Sequence, residues 1–557
     1  MTQSPVASLR APVQDLAQRE LDLLVIGGGI TGAGILRDAA MRGLTAALVD
    51  RGDVGAGTSS RSSRLVHGGL RYLEHYQWGL VFEALRERRI LLRIAPHLVR
   101  RQAFVVPLHR GDRVPRWKLA AGLALYSVLA AGGNVARPRM LGKAGLLALE
   151  PNLRARGLRG GGLYHDAQCD DARLVLATLR GALAHGARAA TYAEVTALDI
   201  QDGRVRGAVV HDILDRTRAT IQARVVVNAT GPWTDRLRRL EDPLAAPLLR
   251  PTKGAHVMVR RSRIGHTHGI TFTSPIDGRV MFILPWGDLT YIGTTDTDTG
   301  GGGRDGPPDL VAADEEDVRY LLRSANAVFP HARLAEEDVL ATWAGLRPLL
   351  ASDPTLPTSA VPREHRVLRG DKGMITVAGG KLTTYRRMAT EVVDEALRVL
   401  DGEEGPARRP PPATDTEPLP GGESGTWDPF VRSGLDLGLP SGTVEHLVRL
   451  YGTETAAVLN LIRADRALAM PIHPRHPAIG AEVVHATRRE LAQRVEDVLD
   501  RRLHLTTETA DHGRAGAVRA AELMGRELGW DATRIREEAE RFAQDGKTAR
   551  RQDGNVD

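Results

Sequence analysis

The chain has 557 residues, 42% of them hydrophobic, and a net charge of +7; that length suits about three or four domains and that share suits ordinary globular ones. A single cysteine, Cys169, excludes an internal disulfide and a cysteine-built metal site, and points to a reducing compartment. The first twenty residues lack the apolar core of a secretory signal, and no run reaches the ~20 apolar residues of a spanning helix.

The positive charge is carried almost wholly by arginine. There are six lysines, of which Lys253 and Lys381 stand in Gly-flanked motifs. Charge of this sign suits nucleic acid, anionic lipid or an acidic substrate.

In chain order, 1–20 reads as an N-terminal extension. Residues 23–26 form an apolar run that predicts a strand, and Gly27, Gly29 and Gly32 follow in the order G-x-G-x-x-G. Apolar Ile30, Ala33, Leu36 and Ala40 recur at helical spacing. Residues 45–49 read as a second strand ending on Asp50, about 18 residues beyond Gly32, near the ~20 expected of a carboxylate that meets a ribose hydroxyl. In such a unit Gly27 permits the turn, Gly29 admits a pyrophosphate to the helix N-terminus, and Gly32 lets the helix lie close on the strand. The unit predicts a dinucleotide site.

Residues 51–64 are too rich in Gly and Ser for a regular element and suit a loop around phosphate or ribose. A helix fits 80–94. The uncharged stretch 119–133, preceded by Arg113, Arg116 and Lys118, is too short to span a bilayer. It reads as a core helix, with a helix lying in a membrane interface as the alternative. Asp170-Asp171 signals a helix start. Residues 194–200 and 204–210 read as strands joined at Asp202-Gly203, a hairpin signal. Further strands fit 223–227, 257–259, 280–284 and 375–378, and Gly379-Gly380 turns the last of these into a helix. The Pro-rich 401–427 reads as a linker. Beyond it, 479–503 and 515–542 are helical in pattern, and residues from about 546 read as a frayed tail.

Several stretches resemble the FAD-dependent, aerobic glycerol-3-phosphate dehydrogenases: VIGGGITGAG (25–34), TSSRSSRLVHGGLRYLEHY (58–76), DDARLVLA (170–177), VNATGPW (227–233), KGAH (253–256), IGTTD (292–296), GLRPL (345–349) and GGKLTTYR (379–386). They follow the family's order, and AEVVHATRRELAQRVEDVLDRRL (481–503) resembles its C-terminal helical domain. The resemblance implies an α/β fold with an FAD-binding, Rossmann-like domain of the glutathione-reductase type over about 21–100, 150–250 and 345–400. It implies an interleaved mixed-sheet substrate domain over about 101–149 and 251–344, then the linker 401–427, an all-α domain over 428–545 and the tail 546–557. The implied reaction is oxidation of sn-glycerol 3-phosphate to dihydroxyacetone phosphate by hydride transfer to FAD. The electrons would pass to a membrane quinone, from a protein held peripherally by anionic lipid on the cytoplasmic face of the membrane.

An NAD enzyme would share the glycine motif. The Ala-Thr-Gly at 229–231 suits a second backbone approach to a long cofactor, and helix amides after Gly379-Gly380 can stabilise the negative charge of a reduced flavin. The implied cofactor contacts are Gly27, Gly29, Ile30, Gly32, Asp50, Thr58, Ser59, Ser60, Ser63, His67, Gly68, Gly69, Gly231, Gly380, Lys381, Leu382 and Thr383. A phosphate monoester of charge near −2 needs fixed cations, for which Arg71, Arg347, Arg363 and Lys381 are candidates, with Tyr72 and His256 beside them. Arg347, between Gly345 and Pro348, offers a two-donor grip. His256, Arg347 and Lys381 form the expected catalytic set. His256 serves as base or hydroxyl-orienting group because imidazole titrates near working pH; a hydrogen-bonded strand histidine is the alternative. Asp296-Thr-Asp298-Thr-Gly300 lacks the later ligands of a calcium loop, and no metal is expected. Two other activities stay open: an oxidase that hands electrons to oxygen, and a flavin-dependent RNA-modifying enzyme. The scattered charges and 4% aromatic content speak against a nucleic-acid partner. A homodimer is compatible with the sequence.

Overall fold

The computed structural model describes residues 9–75, 77–130, 136–298, 311–351 and 364–551. Strand Leu21–Ile26 lies inside a sheet ordered His365–Arg369, Ile375–Gly379, Arg218–Asn228, Leu21–Ile26, Ala46–Val49, Arg188–Ala190. Neighbours are parallel except for His365–Arg369, which returns antiparallel on Ile375–Gly379. Both faces are covered, so Leu21–Ile26 is apolar nearly throughout rather than alternating. Leu23 and Val25 face a core shared with helices Ile30–Met41, Asp171–Ala184 and Tyr385–Asp401. Leu24 and Ile26 face a second core built with the hairpin Ala193–Gln201 and Arg204–Asp212. That hairpin turns at Asp202-Gly203, both with positive φ (50° and 72°), as Asp-Gly turns prefer.

The second sheet is mixed. At one end Thr252–Arg260 pairs with both Val339–Arg347 and Leu289–Gly293, which sets His256 opposite Trp343 and Gly293. The C-terminal part is helical around a core that includes Leu447, Leu459, Val484, Leu499 and Met524. Its two long predicted helices are each broken. The first gives Gly480–Arg489, a reversal at Leu491 (φ 56°) and a π-helical turn, Asp497–Arg502. From that turn Arg501 and Arg502 reach the buried Asp53, one turn beyond Asp50. The second parts at Gly529, left-handed as glycines at helix C-termini are, into Arg514–Leu528 and Ala532–Arg551. The chain is thus helical to Arg551, past the point where the sequence predicts fraying; 552–557 lie outside the described residues.

The Pro-rich stretch is a strap rather than a free linker. Buried Arg37 donates to the carbonyls of Thr414 (3.3 Å) and Glu417 (2.9 Å), and Leu419 is fully buried in the first core. Thr414 lies in the single 3-10 turn Ala413–Asp415 and Glu417 just past it, where carbonyls at a helix end lack internal partners, and the core supplies the donors. Arg386, which ends GGKLTTYR, joins Glu87 to Thr414 and so serves this strap.

Helix Arg116–Leu129 has two faces. Leu119, Leu123 and Tyr126 are buried, Leu123 with 2% of its surface exposed, whereas Trp117 and Val128 are 72% and 73% exposed. The core reading of 119–133 holds for the buried face, while the opposite face carries an exposed apolar ridge; residues 131–133 lie outside the described residues. Among the described residues no helix is long and apolar enough to cross a membrane.

Candidate active site

One cavity of about 1200 Å³ begins at the glycine turn, passes Thr58–Ser63 and ends among His256, Arg347 and Gly379–Thr383. Its volume exceeds the ~300–1,000 Å³ usual for a single small ligand. Gly29 is the N-cap of helix Ile30–Met41, and Ile30 N donates to Ser59 Oγ at 3.0 Å. Gly27 is left-handed, and a Cβ on it would lie 2.6 Å from Ala229 O. A Cβ on Gly32 would lie 1.9 Å from Gly27 O, so helix and strand touch there as the motif requires. Asp50 accepts from Gly28 N (2.5 Å) and Gly52 N (2.7 Å). Burial pushes its carboxyl up, and those amides oppose the shift. At the far end Gly231 and Gly380 have positive φ, and Lys381 caps the turn Leu382–Thr384 that opens helix Tyr385–Asp401. Thr383 Oγ1 accepts from His67 N at 3.3 Å. A pyrophosphate cradle at one end and a helix opening at the other fit a flavin dinucleotide.

His256 Nε2 and Ser63 Oγ are 2.9 Å apart, and the imidazole stacks on Trp343 with 4.8 Å between ring centres and 9° between planes. Its Nδ1 is buried with no hydrogen-bond partner among the described residues. Burial, then the charges of Arg347 and Arg64, push the imidazole down to about 3. It is neutral at physiological pH rather than titrating there, because a low-dielectric setting and two guanidiniums disfavour a further cation.

Arg347 ends its strand with both terminal nitrogens engaged. Nη1 donates to Asp296 Oδ1 (2.9 Å) and Lys253 O (3.4 Å), and Nη2 to Thr294 Oγ1 (2.9 Å) and Thr295 O (3.0 Å). The guanidinium lies over Gly254, where a Cβ would come within 2.2 Å of Nη2, so the glycine of KGAH makes room for it. A two-donor grip on phosphate would require these bonds to exchange; as placed, Arg347 offers charge at the cavity wall. Lys381 Nζ stands 3.7 Å from the centre of the Tyr72 ring, a cation–π distance.

Not every predicted residue reaches the cavity. Gly32, Ser60 and Gly68 stand back from it. Gly68 N donates to Tyr126 OH (3.0 Å) and Asp166 Oδ1 (3.3 Å), and a Cβ there would strike Tyr126 and Leu85, so it is a packing glycine. Lys253 turns outward to Asp314 and Asp317 at 2.6 and 2.7 Å. Arg71 lies on the turn Leu70–His75 with its side chain outside the described part, and Arg363 lies outside the described residues altogether. Asp296, Trp343 and Arg64 are missing from the sequence-based set. Trp343 and Arg347 are four apart on one strand and so share a face, a signal that would have found the tryptophan. Nothing local distinguishes Asp296, which meets Arg347, from Asp298, which meets Arg250.

Comparison with known proteins agrees with this geometry. Residues 22–386 match the family model described as FAD dependent oxidoreductase, and 412–535 match that of the C-terminal domain of alpha-glycerophosphate oxidase. Glycerol-3-phosphate dehydrogenase 2 of Mycobacterium tuberculosis (strain ATCC 25618 / H37Rv) is 38% identical over 95% of this chain and 88% of its own. The human mitochondrial glycerol-3-phosphate dehydrogenase is 36% identical over 94% of this chain and 72% of its own. The structure of glycerol-3-phosphate dehydrogenase from Bacillus halodurans, complexed with FAD, superposes with a TM-score of 0.79 at 31% identity, covering 97% of this chain and 96% of that one.

Proposed function

The chain belongs to the FAD-dependent glycerol-3-phosphate dehydrogenases, and on that premise we propose that it oxidises sn-glycerol 3-phosphate to dihydroxyacetone phosphate and passes the electrons to a membrane quinone. The observation that carries the reading is a neutral, buried His256 joined to the cavity-lining Ser63, beside two cations, at the end of a dinucleotide-sized cavity. FAD, when bound, supplies the hydride acceptor; the chain's own residues supply the rest. Arg347 and Lys381 draw the phosphate to the inner end of the cavity. Ser63 Oγ meets the C2 hydroxyl, and its proton passes to His256 Nε2 through that hydrogen bond. The substrate dianion opposes the charge of Arg347 and so raises the imidazole's affinity for the proton when it is needed. Helix N-terminal amides at Leu382–Thr384 favour negative charge at the adjoining cavity wall.

The membrane part of the reading rests on the ridge formed by Trp117 and Val128, with Trp78 and Phe82 on the adjoining helix Trp78–Ile94 also about half exposed. Arg113, Arg116 and Lys118 flank it, the arrangement of a helix seated on anionic lipid. Leu123, in contrast, belongs to the core. The test is acceptor choice: purified enzyme with glycerol 3-phosphate should reduce a quinone analogue under argon much faster than it consumes oxygen in air. Rapid oxygen uptake with matching hydrogen peroxide would make it an oxidase instead.

A further inference from the structure

Behind His256 lies a buried cation that the proposed reaction does not use. Arg64, left-handed at φ 50°, is 3% exposed and places its guanidinium carbon 4.4 Å from the ring centre of Trp286 and 5.1 Å from that of Trp343. Its Nη2 donates to Thr507 Oγ1 at 3.5 Å, whereas Nε and Nη1 have no hydrogen-bond partner among the described residues and meet ring faces instead. Trp343 in turn lies flat on His256 and donates from Nε1 to Ser62 O at 3.2 Å. The same turn holds Ser63, the partner of His256 Nε2, whose carbonyl accepts from Tyr291 OH.

The helical domain closes this stack from behind. Trp286 donates from Nε1 to Glu508 Oε1 at 2.7 Å, and Arg449 lies 5.0 Å from its ring. Asp170, whose field reaches Arg64, is bonded to His504 at 2.7 Å. The C-terminal domain thus touches the reacting end of the cavity through one line of groups: His504 and Glu508, then Arg64 and Trp286, then Trp343, then His256.

We propose that Arg64 is a positioning residue for His256: wedged between Trp286 and Trp343 with the helical domain behind it, its cation holds the indole flat against the imidazole and fixes the edge that meets Ser63. The inference rests on the reading of His256 as proton acceptor. The charge has a second effect. The groups facing His256 are Arg64 from the loop, Arg347 from strand Val339–Arg347, and the neutral Tyr291 and Ser63. Removing one of the two cations makes the imidazolium easier to form, so the pH below which activity falls moves upward.

The experiment compares Arg64→Met and Arg64→Lys with wild type at equal flavin content. Arg64→Met should lower kcat about tenfold or more, change KM for glycerol 3-phosphate less than about twofold, and shift the acid limb of the kcat/KM profile to higher pH. Arg64→Lys, which keeps the cation over the rings, should restore kcat to within about threefold and return the limb to its place. Wild-type kcat and an unmoved limb in Arg64→Met would overturn the proposal. So would parallel losses of kcat, KM and thermal midpoint that lysine does not restore. A crystal structure of Arg64→Met gives a readout apart from activity: the 4.8 Å ring pair should be displaced, and an unchanged pair refutes the inference. That measurement stands even if wild type does not oxidise glycerol 3-phosphate, a result that would defeat the functional reading by itself. Should Arg64→Met not fold, Trp343→Phe, which keeps the cation but removes the indole it holds against His256, should lower kcat about tenfold and leave the acid limb in place; wild-type kcat in that variant would overturn the proposal.

Discussion

Replacing Arg347 by alanine removes a cation from the cavity wall and also takes from Asp296 the guanidinium that its carboxylate meets at 2.9 Å; both side chains are mostly buried. Two costs follow and can be separated. Loss of one charged contact to the substrate phosphate is worth ~1.5–3 kcal/mol, so kcat/KM for glycerol 3-phosphate should fall roughly ten- to two-hundred-fold. The Asp296 carboxylate adds its own penalty, because its negative charge, no longer offset by the guanidinium, repels the dianion. The double variant Arg347→Ala with Asp296→Asn removes that penalty and should recover only part of the loss. Arg347→Lys should also recover part, since lysine keeps the charge but cannot reproduce the fork that meets Asp296, Thr294 and Thr295. The assay is kcat/KM for glycerol 3-phosphate and for glycerol in each protein. Glycerol has no phosphate, so Arg347→Ala should scarcely change its slow oxidation. If both substrates slow by one factor, or if the double variant is fully restored, Arg347 acts on the fold rather than on the phosphate.

Four further expectations come from the same geometry. Gly29→Val should fold yet purify without flavin, because its Cβ meets only Ser59 Oγ at 3.2 Å, whereas Gly32→Val should fail to fold, its Cβ lying 1.9 Å from Gly27 O; full flavin absorbance in Gly29→Val would contradict the cradle. Leu123→Glu, buried against Gly162, should lower the thermal midpoint sharply, at least the ~2–5 kcal/mol of losing a core leucine. Trp117→Glu should keep the midpoint and weaken flotation with anionic vesicles, and unchanged flotation would count against the ridge. Burial alone lowers His504, but Asp170 raises its imidazole above the ordinary value of about 6.5. A raised histidine adds stability below its unfolded pKa and loses it as pH climbs through the folded one. His504→Gln should therefore cost more thermal stability at pH 6 than at pH 9, and an equal cost at both would remove the charged pair.

What the sequence shows well is what depends on backbone and near neighbours. The glycine turn, the parallel pair it joins, the Asp202-Gly203 hairpin and the helix start at Asp170 are local, and each is found where its residues predict. Long-range partners are not legible in this way. Lys253 sits in a Gly-flanked motif yet pairs with Asp314 and Asp317, and Gly68 serves Tyr126 and Asp166 far along the chain. The neutral state of His256 needs its burial and two arginines from other elements, none of which its neighbours reveal. The prolines of 401–427 mark a stretch of turns and short helical pieces between two larger parts, but the donor that pins it, Arg37, lies in the first helix after the glycine turn.

The reaction itself is tested most directly by the flavin's colour. The purified yellow protein is placed under argon and titrated with sn-glycerol 3-phosphate, then with glycerol, while the flavin absorbance is followed. The account predicts stoichiometric bleaching by the phosphate ester, little by glycerol, and return of the colour on adding a quinone analogue. A flavin that stays oxidised with glycerol 3-phosphate, or that bleaches equally with glycerol, contradicts it.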